Sequence, residues 1–117
     1  MREIQFHETE TGKFPVIDFL EDLPPKDAQK AAWVLNLIEE LPTIPSKFFK
    51  KLVNTDNLWE VRIASGNNIY RILCFFDGER LIVLNYAFQK KTQKTPKQAI
   101  KLAEQRKKQY LMRGNVK

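Results

Sequence analysis

The stretch LWEVRIASGNNIYRILCFFDGERLIVLNYAF, residues 58–88, decides the fold. Trp59, Val61 and Ile63 alternate with Leu58, Glu60 and Arg62, the period of two that sends successive side chains to opposite faces of a sheet. SGNN at 65–68 turns the chain into a second strand over Ile69–Phe76. Asp77-Gly78 then turns it into a third, Leu81–Phe88, rich in β-branched and aromatic residues. The pattern predicts three consecutive antiparallel strands, with the Trp59 face of the first turned to the core.

Downstream, the third strand runs out into QKKTQKTPK, which places Lys90, Lys91, Lys94 and Lys97 between a strand end and a helix start. Thr95 is suited to cap that helix, Pro96 to its first position and Gln98 to a Thr-x-x-Gln capping box. The helix is expected from Pro96 to about Met112, with Ala99, Ile100, Ala103, Tyr110 and Leu111 inward and Gly114 past its end. RGNVK reads as a frayed tail. A helix N-terminus favours anions, so lysines held beside it make a plausible phosphate seat.

Upstream, Ile4 and Phe6 alternate with polar neighbours and predict a short first strand. Val16, Phe19, Leu20 and Leu23 fall at i, i+3, i+4 and i+7, a short amphipathic helix closed by Pro24-Pro25. A second helix runs from Pro25 through KDAQKAAWVLNLIEEL and stops before Pro42. Between Lys47 and Asn57, Lys47, Lys50 and Lys51 surround Phe48-Phe49 in a second basic segment.

At 117 residues the chain is expected to form one domain and to bury roughly two-thirds of its unfolded surface. The longest apolar runs, AAWVL and ILCFF, are far too short to span a bilayer. The N-terminus lacks the apolar core of a secretion signal, and a lone Cys74 makes no internal disulfide, so a reducing, cytoplasmic setting is expected. Charge is divided unevenly. Residues 1–46 carry four Lys and Arg against nine Asp and Glu, a net of −5, whereas residues 47–117 carry sixteen against five, a net of +11. The basic half implies a polyanionic partner.

One His and one Cys exclude a zinc cluster, a histidine pair and a Cys-His couple. The four glycines form no phosphate loop, and the basic half has only Asp56, Glu60, Asp77, Glu79 and Glu104 as carboxylates. No metal or cofactor is expected. What remains is cations and a phenol: Arg62, Arg71, Lys50, Lys51, Lys90, Lys91, Lys94 and Tyr86. Arg71 interrupts a buried-looking strand and is either half of a structural ion pair or a phosphate ligand. Arg62 has the plainer alternative of an edge salt bridge with Glu60 or Asp56. Tyr86 is either a strand residue packed on the last helix or a catalytic or base-stacking group. His7 is expected at the surface or in a cap, and Cys74 in the core as a small hydrophobe.

LWEVRI at 58–63, YRILCFF at 70–76 and AFQKKTQKTPKQAI at 87–100, with a lysine-rich helix ending in QYL, resemble the phage-related branch of the RelE/HigB-type toxins of bacterial toxin–antitoxin pairs. The resemblance extends from about residue 2 to residue 112. It implies a RelE-like α+β fold: a small, mainly antiparallel twisted sheet with an N-terminal helical hairpin and a C-terminal helix. It also implies ribosome-dependent cleavage of messenger RNA and a helix-turn-helix antitoxin that blocks the toxin and represses the operon. Position by position, Arg62, Arg71 and Lys90-Lys91 match the family's basic residues, while Tyr86 stands where many relatives have a histidine. The histidine's role does not carry over to Tyr86, but with the inventory of cations and phenols the expected catalytic set is Arg71, Lys90 and Lys91 with Tyr86 as their rival in proton transfer, and Arg62, Lys50, Lys51, Lys94 and Lys97 are expected to bind RNA and ribosome. Two other classes fit the same residues: a gyrase-inhibiting toxin, and a non-catalytic RNA- or ribosome-binding module.

Overall fold

The computed structural model describes residues 1–91 and 94–115. Its elements in chain order are β1 (Glu3–Phe6), α1 (Pro15–Glu21), α2 (Pro25–Glu40), β2 (Phe49–Lys51), β3 (Trp59–Ser65), β4 (Asn68–Asp77), β5 (Leu81–Gln89) and α3 (Lys97–Asn115). The three expected strands are β3, β4 and β5, paired antiparallel, and Gly78 at φ 79° makes the turn between the last two.

The expected mainly antiparallel sheet with a helical hairpin is corrected by the strand order β1-β5-β4-β3-β2. The sheet is five-stranded and mixed. β1 lies parallel to β5, Glu3 opposite Leu81 and Phe6 opposite Leu84, and β2 adds antiparallel to β3 at the far edge. The register of this pairing puts Ile4 and Phe6 on the same face as Ile82 and Leu84, under α1 and α2. Those helices do not form a hairpin packed mainly on itself. α1 packs on β5 and α2 on β3.

Both faces of the sheet are covered. Val61, Ile63, Tyr70, Ile72, Cys74, Ile82 and Leu84 face α1 and α2, with Val16, Val34 and Ile38 from the helices. Leu58, Leu73, Phe75 and Val83 face α3 through Ala99 and Ala103. The Trp59 face is therefore only one of two cores. Cys74 is fully buried as expected, and burial raises its thiol pKa well above the usual range. α3 begins at Lys97 and continues past the expected stop to Asn115, a Gly near a helix end costing only about 1 kcal/mol. Leu111, expected inward, is exposed, and Lys107 is buried instead, donating to the Asp56 carbonyl at 2.5 Å. Of the expected tail, residues 116–117 lie outside the described residues, as do Thr92 and Gln93 of the lysine-rich run.

Two sets of polar contacts tie α2 to the rest of the fold. Near its start, Asp27 accepts from the Tyr70 hydroxyl and from Asn68 Nδ2 at 3.1 Å, bonds that together with Ser65 hold its carboxyl below the usual range. At its other end, Arg2 Nη1 donates to the carbonyls of Ile38 (3.1 Å) and Leu41 (2.6 Å), and Nη2 to that of Pro42 (3.0 Å). These are the orphan acceptors of a helix C-terminus, where a cation is favoured. Arg2→Ala should therefore cost about 2 kcal/mol of stability, since hydrogen bonds to a charged group are each worth more than neutral ones. Chemical denaturation would check it, with Arg2→Lys falling between the two.

His7 departs from its expected surface position. Strand alternation turns it to the α3 side, where it is buried, and among the described residues neither ring nitrogen has a hydrogen-bond partner.

Candidate functional site

On β4, side chains at alternate positions facing α3 emerge step by step from under the helix: Leu73 is 0% exposed, Arg71 8% and Ile69 38%. The helix covers only one half of this face. The other half is open, and the register determines what lines it. Arg71 pairs directly with Arg62 on β3 and with Phe88 on β5, so these three share the face in one row. The row beneath holds Lys50, Glu60, Leu73 and Tyr86. Beyond Arg71, the Lys90 amide donates to the Ile69 carbonyl at 2.7 Å, extending the pairing so that Lys90 follows Tyr86 and Phe88 on the open side.

Glu60 is the node of this surface. Its carboxylate is buried, and Oε1 lies 3.1 Å from Arg62 Nε and 3.2 Å from Arg71 Nε. The Arg62 contact is an aligned hydrogen bond, while that to Arg71 is an ion pair without such alignment. Oε2 accepts from the Thr95 hydroxyl at 2.6 Å. Thr95 thus donates to the sheet, a use of its hydroxyl that the capping box does not foresee. Arg71 Nη1 also reaches the Tyr70 carbonyl at 3.3 Å. Burial lowers the Arg71 pKa and the Glu60 carboxylate opposes that lowering, leaving a guanidinium that remains charged. Two guanidiniums on one carboxylate leave a net positive charge at the rim of a buried surface.

The aromatic side of the site comes from a local irregularity. Leu73 pairs with Tyr86 but Cys74 with Leu84, so Asn85 is the extra residue of a β-bulge. Asn85 Nδ2 donates to the Ala103 carbonyl at 2.8 Å, and its own carbonyl accepts from Arg106 Nη1 at 2.6 Å. Arg106 then lies over the Tyr86 ring, 5.5 Å from its centroid, and the Phe88 ring stands 5.9 Å from that of Tyr86 at 32°. Burial lowers the Arg106 pKa.

The structure therefore brings together Arg62, Arg71, Tyr86, Lys50 and Lys90 from the expected set. It does not gather the rest. Lys51 pairs with Trp59 and so belongs to the opposite face. Lys91, Lys94 and Lys97 are exposed on the segment after β5 and the first turn of α3, which Thr95 ties to Glu60. Glu60, Phe88 and Arg106 were not among the expected site residues. Two of them have a sequence signal: Glu60 is the i, i+2 partner of Arg62, and Arg106 stands three residues after Ala103 on the apolar stripe of α3. Among the described residues, no three His, Cys, Asp or Glu are grouped to hold a metal, and no helix is long and apolar enough to cross a membrane.

The family model described as "Phage derived protein Gp49-like (DUF891)" matches residues 18–108, which include β2 to β5 and most of α3. That family is one of toxins of toxin–antitoxin pairs and falls in the RelE/HigB-like toxin clan. No curated protein matches the chain.

Proposed function

The chain belongs to the phage-derived Gp49-like family, and from that premise we propose that it is a toxin that cuts messenger RNA on the ribosome, held in check by a helix-turn-helix antitoxin. One observation supports the reading above others: Arg62 and Arg71 sit side by side on one carboxylate at the open half of the sheet, with the Tyr86 and Phe88 rings in the adjoining strand. Cations there hold phosphate, and the rings offer a face to a base, the combination that single-stranded RNA calls for.

The reaction proposed is attack of a ribose 2′-hydroxyl on its own 3′-phosphate. The O2′–P bond forms, the P–O5′ bond breaks, and a 2′,3′-cyclic phosphate and a 5′-hydroxyl result. Arg71 holds the non-bridging oxygens as negative charge grows, a task for a fixed fork of donors. Lys90 and Tyr86 share the open face with Arg71, and one of them takes the 2′-hydroxyl proton while the other gives a proton to the leaving oxygen. Arg62, Lys50, Lys94 and Lys97 contact phosphates of messenger and ribosomal RNA and position the chain, with Lys51 turned to ribosomal RNA on the opposite face.

Primer extension on a reporter transcript in a cell-free translation system tests the reading. Cuts in frame that require ribosomes are the expected result. An intact transcript with inhibited gyrase supercoiling would replace it with gyrase inhibition, and salt-sensitive RNA binding without a cut product would reduce it to a binding module.

A further inference from the structure

Arg62 and Arg71 are directly opposite each other on neighbouring antiparallel strands. Like charges in that position repel, and the pair is destabilising unless something lies between them. Glu60 is what lies between. Its single Oε1 is within 3.2 Å of both Nε atoms, and its side chain is almost wholly buried in the sheet. Held at Nε, each guanidinium keeps its Nη edge for other partners. Among the described residues Arg62 makes no Nη hydrogen bond, and Arg71 uses only Nη1, toward the Tyr70 carbonyl. The other oxygen, Oε2, takes the Thr95 hydroxyl and so fixes the end of the lysine-bearing segment to the same point.

We propose that Glu60 is the positioning residue of the site: it aligns the Arg62 and Arg71 guanidiniums side by side as one phosphate seat and, through Thr95, docks the Lys94–Lys97 segment against that seat. This rests on the ribonuclease reading for its catalytic consequence, though not for its geometry. Glu60 touches no substrate. It acts by fixing cations that do, because a guanidinium free to change rotamer must be ordered again each time phosphate binds.

A positioning role separates cleavage from binding, which a mere charge effect does not. Glu60→Gln removes a negative charge from a phosphate site, so on charge alone RNA should bind more tightly. If Glu60 positions, cleavage should fall while binding holds or tightens, the loss appearing in kcat and not in KM. The expected drop is about 10- to 100-fold in single-turnover cleavage at saturating ribosome-bound transcript, the range of a lost orienting contact. Thr95→Val should lose less in the same sense, and the double variant no more than Glu60→Gln alone, since both cut one chain of contacts. Glu79→Gln, on the exposed β4–β5 turn, is the control for charge.

A second readout needs no activity. In wild type the Nε–H of Arg62, bonded to Glu60, should give a nitrogen-15-edited NMR signal slow to exchange with water, and Glu60→Gln should lose it while Glu79→Gln keeps it. Wild-type cleavage with an equally active Glu60→Gln protein overturns the proposal. So does an Nε–H signal that survives the substitution. Absence of cleavage by wild type would remove the ribonuclease reading, and the NMR comparison would still decide whether Glu60 orders Arg62. Should Glu60→Gln fail to fold, a fully active Thr95→Val protein would refute the docking of the lysine segment.

Discussion

Arg71→Ala is expected to slow ribosome-dependent cleavage by about 10²- to 10³-fold, the usual cost of removing one donor aimed at charge that develops in a transition state. The substitution leaves the fold in place for a reason visible in the sheet. Glu60 keeps Arg62 at 3.1 Å and Thr95 at 2.6 Å, so no buried carboxylate is orphaned when Arg71 goes. Arg62→Ala should cost less and mainly in KM, because Arg62 is the more exposed of the two and is proposed to position the chain. Arg71→Lys keeps the charge but not the planar fork and should recover only part of the rate. Rates of in-frame product in the primer-extension assay, with circular dichroism to confirm folding, provide the measurement. A folded Arg71→Ala protein within about threefold of wild type would leave Arg71 as a structural ion pair and no more.

The ion pair itself shows how far the sequence could be read. β3, β4 and β5 are legible because alternation and two turn signals act within a few residues of one another. The same local signals gave α1 and α2 almost to the residue. β2 was missed because three residues, Phe49–Lys51, are too few to show a period, and their lysines suit an edge strand as well as a loop. The direction of β1 was missed for a different reason. Its partner β5 lies some eighty residues away, and nothing local to Ile4 or Phe6 distinguishes a parallel neighbour from an antiparallel one. Arg62 beside Glu60 was legible as an i, i+2 pair on one face. Arg71 joining the same carboxylate was not, because that contact exists only once the β3–β4 register is set. The bulge at Asn85 is likewise a product of pairing, and it brings Arg106 over Tyr86.

His7 leads to the second large effect, on stability. Its imidazole is buried at the end of β1 with both nitrogens unpartnered among the described residues, and its pKa is lowered to about 4, first by burial and then by the charges of Arg113 and Arg106 on α3. In the unfolded chain the same group titrates near 6.5. Between those values the unfolded state binds a proton that the folded state refuses, so unfolding takes up a proton and stability rises with pH. The contribution is complete above about pH 6.5, declines as pH falls and levels off below about 4. A pKa that differs by one between the folded and unfolded chain is worth about 1.4 kcal/mol, so the interval amounts to about 3 kcal/mol. His7→Leu removes the titration and fills much of the same space with a side chain that asks for no hydrogen bond. Near pH 7.5 the variant should match or exceed wild type, and by pH 4.5 it should be the more stable by a further 2–3 kcal/mol or so. Carboxylates titrate in the same interval, but they are common to both proteins and cancel in the difference. Guanidinium denaturation at four pH values between 4.5 and 7.5 would measure that difference. Parallel pH profiles would mean that His7 finds a proton acceptor in the folded chain, and that β1 can separate from α3 at little cost. A widening gap toward acid would mean that His7 is kept uncharged in the folded chain by its burial and by the Arg113 and Arg106 charges of α3.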